Sequence, residues 1–291
     1  MDAKSIGVYD SGVGGLTVVK AIMSAAPGWP IVYCADTARV PYGEKPREHI
    51  IRFAREIISF LAAQGAAVVA CACNTSSALA LPVVGAEYGF PVVGMIEPGA
   101  RAAVRATRNG RIGVIATTNT ARSRAYAAAI GRIDPLVQVF EQACPLLVPM
   151  IEQGEVSGGY VREVLSGYLA PLVRAGVDTV VYGCTHYPYL EDEVRAVVGP
   201  HVSLVDPAVS VAATVRAALD CCTGRAGVRS RTEAVSYRFF TSGDPEEFRR
   251  IARVLLGWEL EAVDHVTFSA PRPCWGVQKG DKWDAAYDTR E

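Results

Sequence analysis

The sequence predicts an α/β protein of two pseudo-symmetric doubly wound domains, with mostly parallel sheets and the active site in the cleft between them. Three observations predict it. Short apolar runs of strand length alternate with helical stretches, the pattern of parallel sheets covered by helices on both faces. Turn signals at Glu97-Pro98-Gly99 and Asp206-Pro207 divide that alternation. Two cysteine motifs of like design, Val68-Val69-Ala70-Cys71-Ala72-Cys73-Asn74-Thr75 and Val180-Val181-Tyr182-Gly183-Cys184-Thr185-His186-Tyr187-Pro188, stand one in each part.

Ser5 to Asp10 reads as a buried strand, Ser11 to Gly15 as a glycine turn, and Leu16 to Ala26 as a helix stopped by Pro27-Gly28. Ile31 to Ala35 is a second strand, Asp36 to Pro46 a polar loop, and Arg47 to Gln64 a helix closed by Gly65. Ala66 to Cys73 is the third strand. Thr75 to Tyr88 reads as a helix interrupted at Pro82, and Pro91 to Ile96 as another strand. The alternation then restarts: helix Arg101 to Arg108, strand Arg111 to Ala116, helix Asn119 to Ile130, strand Leu136 to Glu141 and helix Gly159 to Arg174. Strand Val177 to Tyr182 leads into the second cysteine loop, followed by helix Leu190 to Val198 and strand Val202 to Val205. Helix Ala208 to Leu219, a basic linker Arg225 to Arg231, strand Tyr237 to Thr241, helix Pro245 to Leu256 and a strand within Ala262 to Phe268 complete the order. The division expected from these signals is 1–97 with 208–270 as the first domain, 98–207 as the second, and an irregular tail over 271–291.

A chain of 291 residues, half of them hydrophobic (50%) and 20% charged, has ample core for two domains. A formal net charge of -1 offers no basic footprint for nucleic acid and points to a small-molecule partner. Asp2, Lys4, Asp10 and the glycines interrupt the first residues, so neither a signal peptide nor a membrane span is expected, and the compartment expected is the cytoplasm. The eight cysteines are then expected to be reduced, including the adjacent Cys221 and Cys222. Cys71-Ala72-Cys73 and Cys184-Thr185-His186 have one-residue gaps, unlike the usual zinc spacings, so no metal is expected.

Strands buried on both faces deliver their last residues to the ligand crevice of an open α/β sheet. Cys73 and Cys184 therefore read as crevice residues at strand ends, where a helix start favours an anion and lowers a thiol pKa. His186, two residues after Cys184, can place an imidazole beside that thiol. Asp10 ends the first strand and faces the same crevice. The turn Gly12-Val13-Gly14-Gly15 departs from a dinucleotide fingerprint at Thr17, yet such a turn lets backbone N–H groups approach a carboxylate. Asn74, Thr75 and Thr185 can cap helices or bind a carboxylate. Thr117-Thr118 offers hydroxyls after a strand, and Pro41-Tyr42-Gly43 is a stiff turn that can present N–H groups.

Together, Ile6 to Thr17, Asp36 to Gly43, Ala72 to Thr75, Gly183 to Pro188 and Thr241 to Phe248 resemble the bacterial glutamate racemases of the aspartate/glutamate racemase superfamily, over about Ile6 to Leu256. The resemblance implies cofactor-independent interconversion of L- and D-glutamate, with D-glutamate supplied to peptidoglycan synthesis. It also implies that Cys73 and Cys184 are the catalytic pair, supported by Asp10 and His186, with Glu152 as a further acidic neighbour of the second thiol. Ser11, Tyr42, Gly43, Asn74, Thr75 and Thr185 fall in segments that bind the substrate's charged groups. A homodimer is expected by family likeness alone. Ser76 and Tyr182 depart from the family's usual Ala and Leu.

The chemistry agrees, since inverting a stereocentre needs proton removal on one face and delivery on the other. A pyridoxal cofactor needs a Schiff-base lysine, and Lys4, Lys20, Lys45, Lys279 and Lys282 all lie outside the cysteine motifs. Other readings are a racemase of the same superfamily acting on aspartate, hydantoins or maleate, a hydrolase using Cys184 and His186, and a binding module without turnover.

Overall fold

A computed structural model describes residues 4–223 and 235–268. The basic linker expected at Arg225 to Arg231 and the tail from Pro271 lie outside the described residues. In chain order the first elements are β1 (Ser5–Asp10), α1 (Leu16–Ala25), β2 (Ile31–Ala35), α2 (Arg47–Ala63), β3 (Ala66–Cys71), α3 (Asn74–Leu79), α4 (Leu81–Val84) and β4 (Val92–Val93). The middle of the chain forms α5 (Ile96–Ala106), β5 (Arg111–Ala116), α6 (Thr118–Ser123), α7 (Ala125–Ile133), β6 (Gln138–Ala143), α8 (Leu147–Glu152), α9 (Gly159–Arg174), β7 (Thr179–Gly183), α10 (Glu191–Val198) and β8 (Ser203–Val205). It ends with α11 (Pro207–Thr223), β9 (Tyr237–Thr241), α12 (Pro245–Leu256) and β10 (Asp264–His265).

The strands form two sheets, in orders β10-β9-β2-β1-β3-β4 and β6-β5-β7-β8. All their pairings are parallel. The order β2-β1-β3-β4 in the first sheet recurs as β6-β5-β7-β8 in the second, which is the predicted pseudo-symmetry. In each, the chain leaves the first strand to one side and returns on the other, creating a switch point where ligands of open α/β sheets bind. Asp10 and Cys73 follow the strands flanking the first switch point, and Thr117 and Cys184 those flanking the second.

The central strands are buried because both faces are covered. Ile6 and Val8 of β1 pack with α1, α11 and α12, while Tyr9 and Val32 face α2. Helix α2 buries Ile50, Phe53, Ala54, Ile57, Ile58 and Leu61 at helical spacing, each worth about 1.5–3 kcal/mol for a full-sized apolar side chain. The second sheet is covered likewise by Leu165, Leu169 and Leu172 of α9 on one face and by Ala129 and Ile130 of α7 on the other.

Several elements differ from the sequence expectation. The third strand stops at Cys71, whose partner Tyr9 is the last residue of β1 to pair with it, and Cys73 instead caps α3. The strand expected over Pro91 to Ile96 shrinks to Val92–Val93, which alone pair with β3, and Ile96 already begins α5. Glu97-Pro98-Gly99 therefore lies in the first turn of a helix, where a proline costs nothing because the first N–H groups have no helical partner. The helix expected over Thr75 to Tyr88 is two short helices ending at Val84. That expected over Asn119 to Ile130 breaks at Arg124, which takes the left-handed conformation at φ 55°. The final strand contracts to Asp264–His265. By contrast α12 has the expected bounds: Asp244 caps it through the Glu246 N–H at 2.9 Å, Pro245 opens it and Gly257 closes it. No described helix is long and apolar enough to cross a membrane.

Candidate active site

The carboxyl ends of both sheets converge on one cavity of about 700 Å³. The first sheet contributes Asp10, Ser11, the Pro41-Tyr42-Gly43 turn, Cys73, Asn74 and Thr75 to its walls. The second contributes Thr117, Thr118, Glu152, Cys184, Thr185 and His186. The cysteines and their expected polar and acidic partners thus line the same space, whereas of the glycine turn only Val13 does.

Cys73 is 5% exposed and Cys184 7%, so each is almost wholly enclosed. The Cys73 sulfur accepts the N–H of Ser76 at 3.4 Å, and its thiol donates to Ser11 Oγ at 3.8 Å. The sequence expectation of a lowered pKa fails here. Burial pushes the Cys73 thiol well above the ordinary cysteine value, the nearby Asp10 and Cys71 push the same way, and one helix-start N–H is too little to offset them.

Cys184 has a different neighbour. His186 Nδ1 stands 3.7 Å from its sulfur, and Nε2 of the same ring lies 3.2 Å from Glu152 Oε1, off the line a hydrogen bond needs. Burial alone disfavours an imidazolium, but Cys184 and Glu152 outweigh it and hold the His186 pKa well above the usual histidine value. Glu152 comes from α8, a short helix the sequence reading did not identify.

Asp10 is buried at the end of β1. Its Oδ2 accepts the Gly15 N–H at 2.7 Å and the Thr185 hydroxyl at 3.3 Å, while Oδ1 has no hydrogen-bond partner among the described residues. Burial raises its pKa, opposed by His186 and by the N–H groups of the glycine turn. The glycines have a second use. A Cβ on Gly14 would sit 2.6 Å from both His186 Nδ1 and Thr185 Oγ1, so only glycine admits the second cysteine loop against the first turn.

The opposite wall is held by hydroxyls and amides. Thr75 Oγ1 lies 2.9 Å from Thr117 Oγ1 and 3.2 Å from Thr120 Oγ1, tying the first sheet's α3 to the second sheet's α6. Asn74 Oδ1 accepts the Tyr126 hydroxyl at 2.7 Å, and its Nδ2 is buried without an acceptor among the described residues. Tyr42 donates its phenol hydroxyl to Asp36, which also pairs with Arg39 and accepts Ser242 Oγ at 2.7 Å. Asn119 Nδ2 donates to the carbonyls of Tyr42 and Lys45 at 3.1 and 2.8 Å, bracing the same turn from the second half.

The cavity also has walls that sequence reasoning missed: Cys144, Val148, Pro149 and Gln153 around α8, and Glu247, Phe248, Arg250 and Ile251 of α12. The enclosure can surround a small zwitterion, with a carboxylate in Asp10 for an ammonium, unpaired N–H donors for carboxylates, and a sulfur from each sheet.

The Asp/Glu/hydantoin racemase family model matches residues 6–218. The chain is 49% identical over 260 residues to a glutamate racemase of Gloeobacter violaceus, covering 89% of this chain and 95% of that one. It superposes on the crystal structure of a glutamate racemase isoform from Bacillus anthracis with a TM-score of 0.85 at 35% identity, covering 92% of this chain and 98% of that one. The glutamate racemase of Francisella tularensis, solved in complex with D-glutamate, superposes with a TM-score of 0.84 at 34% identity, covering 93% and 100% of the two chains.

Proposed function

This chain belongs to the Asp/Glu/hydantoin racemase family, and we propose that it interconverts L- and D-glutamate with two thiols, Cys73 and Cys184, acting on opposite faces of the substrate. It is an amino-acid racemase acting on glutamate. The observation that carries the two-thiol reading is that equivalent strand ends of two pseudo-symmetric sheets bring one enclosed sulfur each to a single cavity.

In this reading one sulfur, as thiolate, takes the α-proton: the Cα–H bond breaks, an S–H bond forms, and the electron pair stays on Cα, delocalised into the carboxylate. The opposite thiol delivers its proton to the other face of Cα and becomes the thiolate. The enzyme ends with its protonation reversed, and the reverse reaction exchanges the roles. His186, 3.7 Å from the Cys184 sulfur and with Glu152 behind the ring, stands within reach of the proton that this sulfur takes or gives. Cys73 lacks such a partner, and burial keeps it a thiol until the substrate's ammonium arrives between it and Asp10. Positioned proton transfer of this kind is worth about 10²–10⁴ in rate. Fixed donors such as the N–H groups at the starts of α3 and α6 then stabilise the charge that develops on the carboxylate.

Ser11, the Pro41-Tyr42-Gly43 turn, Asn74, Thr75, Thr117, Thr118 and Thr185 hold the charged groups of glutamate. The same reading has no metal, and it has no pyridoxal, because no lysine stands among the lining residues described. It places the product in peptidoglycan synthesis and the protein in the cytoplasm. It treats 1–97 with 208–270 and 98–207 as the two bodies that enclose substrate, and takes the assembly as a homodimer. Following optical rotation with L-glutamate, D-glutamate and L-aspartate tests the substrate: turnover of both glutamates but not aspartate is expected, and preference for aspartate overturns the reading.

A further inference from the structure

Tyr126 stands on α7, which packs on the second sheet, yet its hydroxyl reaches into the first half to meet Asn74 Oδ1 at 2.7 Å. Tyr126 is 1% exposed and Asn74 2%. The hydroxyl has no other hydrogen-bond partner among the described residues, so its proton is satisfied only by donating to Asn74. A carboxamide has two ends, and fixing its oxygen fixes its nitrogen. The Nδ2 group of Asn74 is buried in a residue lining the cavity and finds no acceptor among the described residues, an arrangement that costs about 1–3 kcal/mol unless a ligand supplies one.

Room for this hydroxyl is specifically made. A Cβ on Gly99 of α5 would lie 3.0 Å from the Tyr126 oxygen and 3.1 Å from Pro207 Cγ. Burial, with Asp206, Cys184 and Glu141 nearby, keeps the Tyr126 phenol protonated and hence a donor.

We propose that Tyr126 is a positioning residue that orients the Asn74 carboxamide, so that its two N–H groups are kept for a carboxylate of the substrate. The assignment rests on the racemase reading above. Because the contact joins α7 to α3, it also makes the carboxylate site depend on the two halves being closed.

The test compares Tyr126→Phe, Asn74→Ala and the double variant, with KM and kcat measured for both glutamate enantiomers. Tyr126→Phe is expected to raise KM about three- to tenfold with kcat within about twofold of the parent, and to have no effect once Asn74 is alanine. An unchanged KM, or an equal loss in the Asn74→Ala background, overturns the proposal. A second reading needs no turnover. The side-chain amide resonances of Asn74, assigned by their loss in Asn74→Ala, are expected to shift and exchange faster with solvent in Tyr126→Phe; unchanged resonances overturn it. Gly99→Ala, which leaves the hydroxyl present but crowded, is expected to raise KM in the same sense. A parent enzyme inactive on both glutamates defeats the racemase reading instead, and the amide resonances then still decide the contact.

Discussion

The hydroxyl of Thr185, after the second sheet's β7, donates to the carboxylate of Asp10, at the end of the first sheet's β1, at 3.3 Å. One bond therefore joins the two switch points, and it forms only because the intervening turn is glycine. The second thiol belongs to Cys184, the residue immediately before Thr185, and is set by the same contact.

Gly14→Ala is accordingly expected to be severe for an apparently mild change. The new methyl meets His186 and Thr185 at 2.6 Å, so the second cysteine loop must retreat. Overpacking of this kind costs about 1–3 kcal/mol, read by urea unfolding, and racemisation should fall more than the folded fraction does. Parental activity in this variant contradicts the close approach.

Asp10→Asn is expected to separate activity from stability. The buried carboxylate is costly to charge, as its raised pKa records, so an amide should leave the unfolding free energy at neutral pH equal or higher. If Asp10 pairs with the substrate ammonium as proposed, loss of its charge should lower kcat/KM about ten- to hundredfold. Equal losses of stability and activity would assign Asp10 a structural role only.

How far the site could be read from sequence follows from how local each signal is. The glycine turn, both cysteine motifs and the α12 caps are contiguous, and all appear in the fold where the residues imply. Glu152 is different: α8 is a single short helix behind Cys144-Pro145, with no apolar period long enough to mark it. The wall of Glu247, Arg250 and Ile251 is also invisible locally, because a charged helix face looks the same whether it meets solvent or the mouth of a cavity. The raised pKa of Cys73 is not legible in sequence, because a helix start is visible there whereas enclosure is a property of the assembled fold.

The pH dependence of stability carries a definite sign. The folded-state pKa of His186 is raised above the value of about 6.5 for an unfolded histidine. Its contribution is whole below that pH and is lost as pH rises through the folded value. Glu152→Gln removes one of the two groups that raise it, so the loss of unfolding free energy with rising pH should be smaller and the imidazole should titrate at lower pH by proton resonance. A His186 titration unmoved by this change would contradict the pairing.

The two-thiol account is tested most directly by exchange of the α-hydrogen in deuterium oxide, with L- and D-glutamate supplied separately to Cys73→Ser and Cys184→Ser. The account predicts that neither variant racemises, and that any residual exchange depends on the enantiomer supplied, with opposite preferences in the two variants. Full racemisation by either one would contradict it.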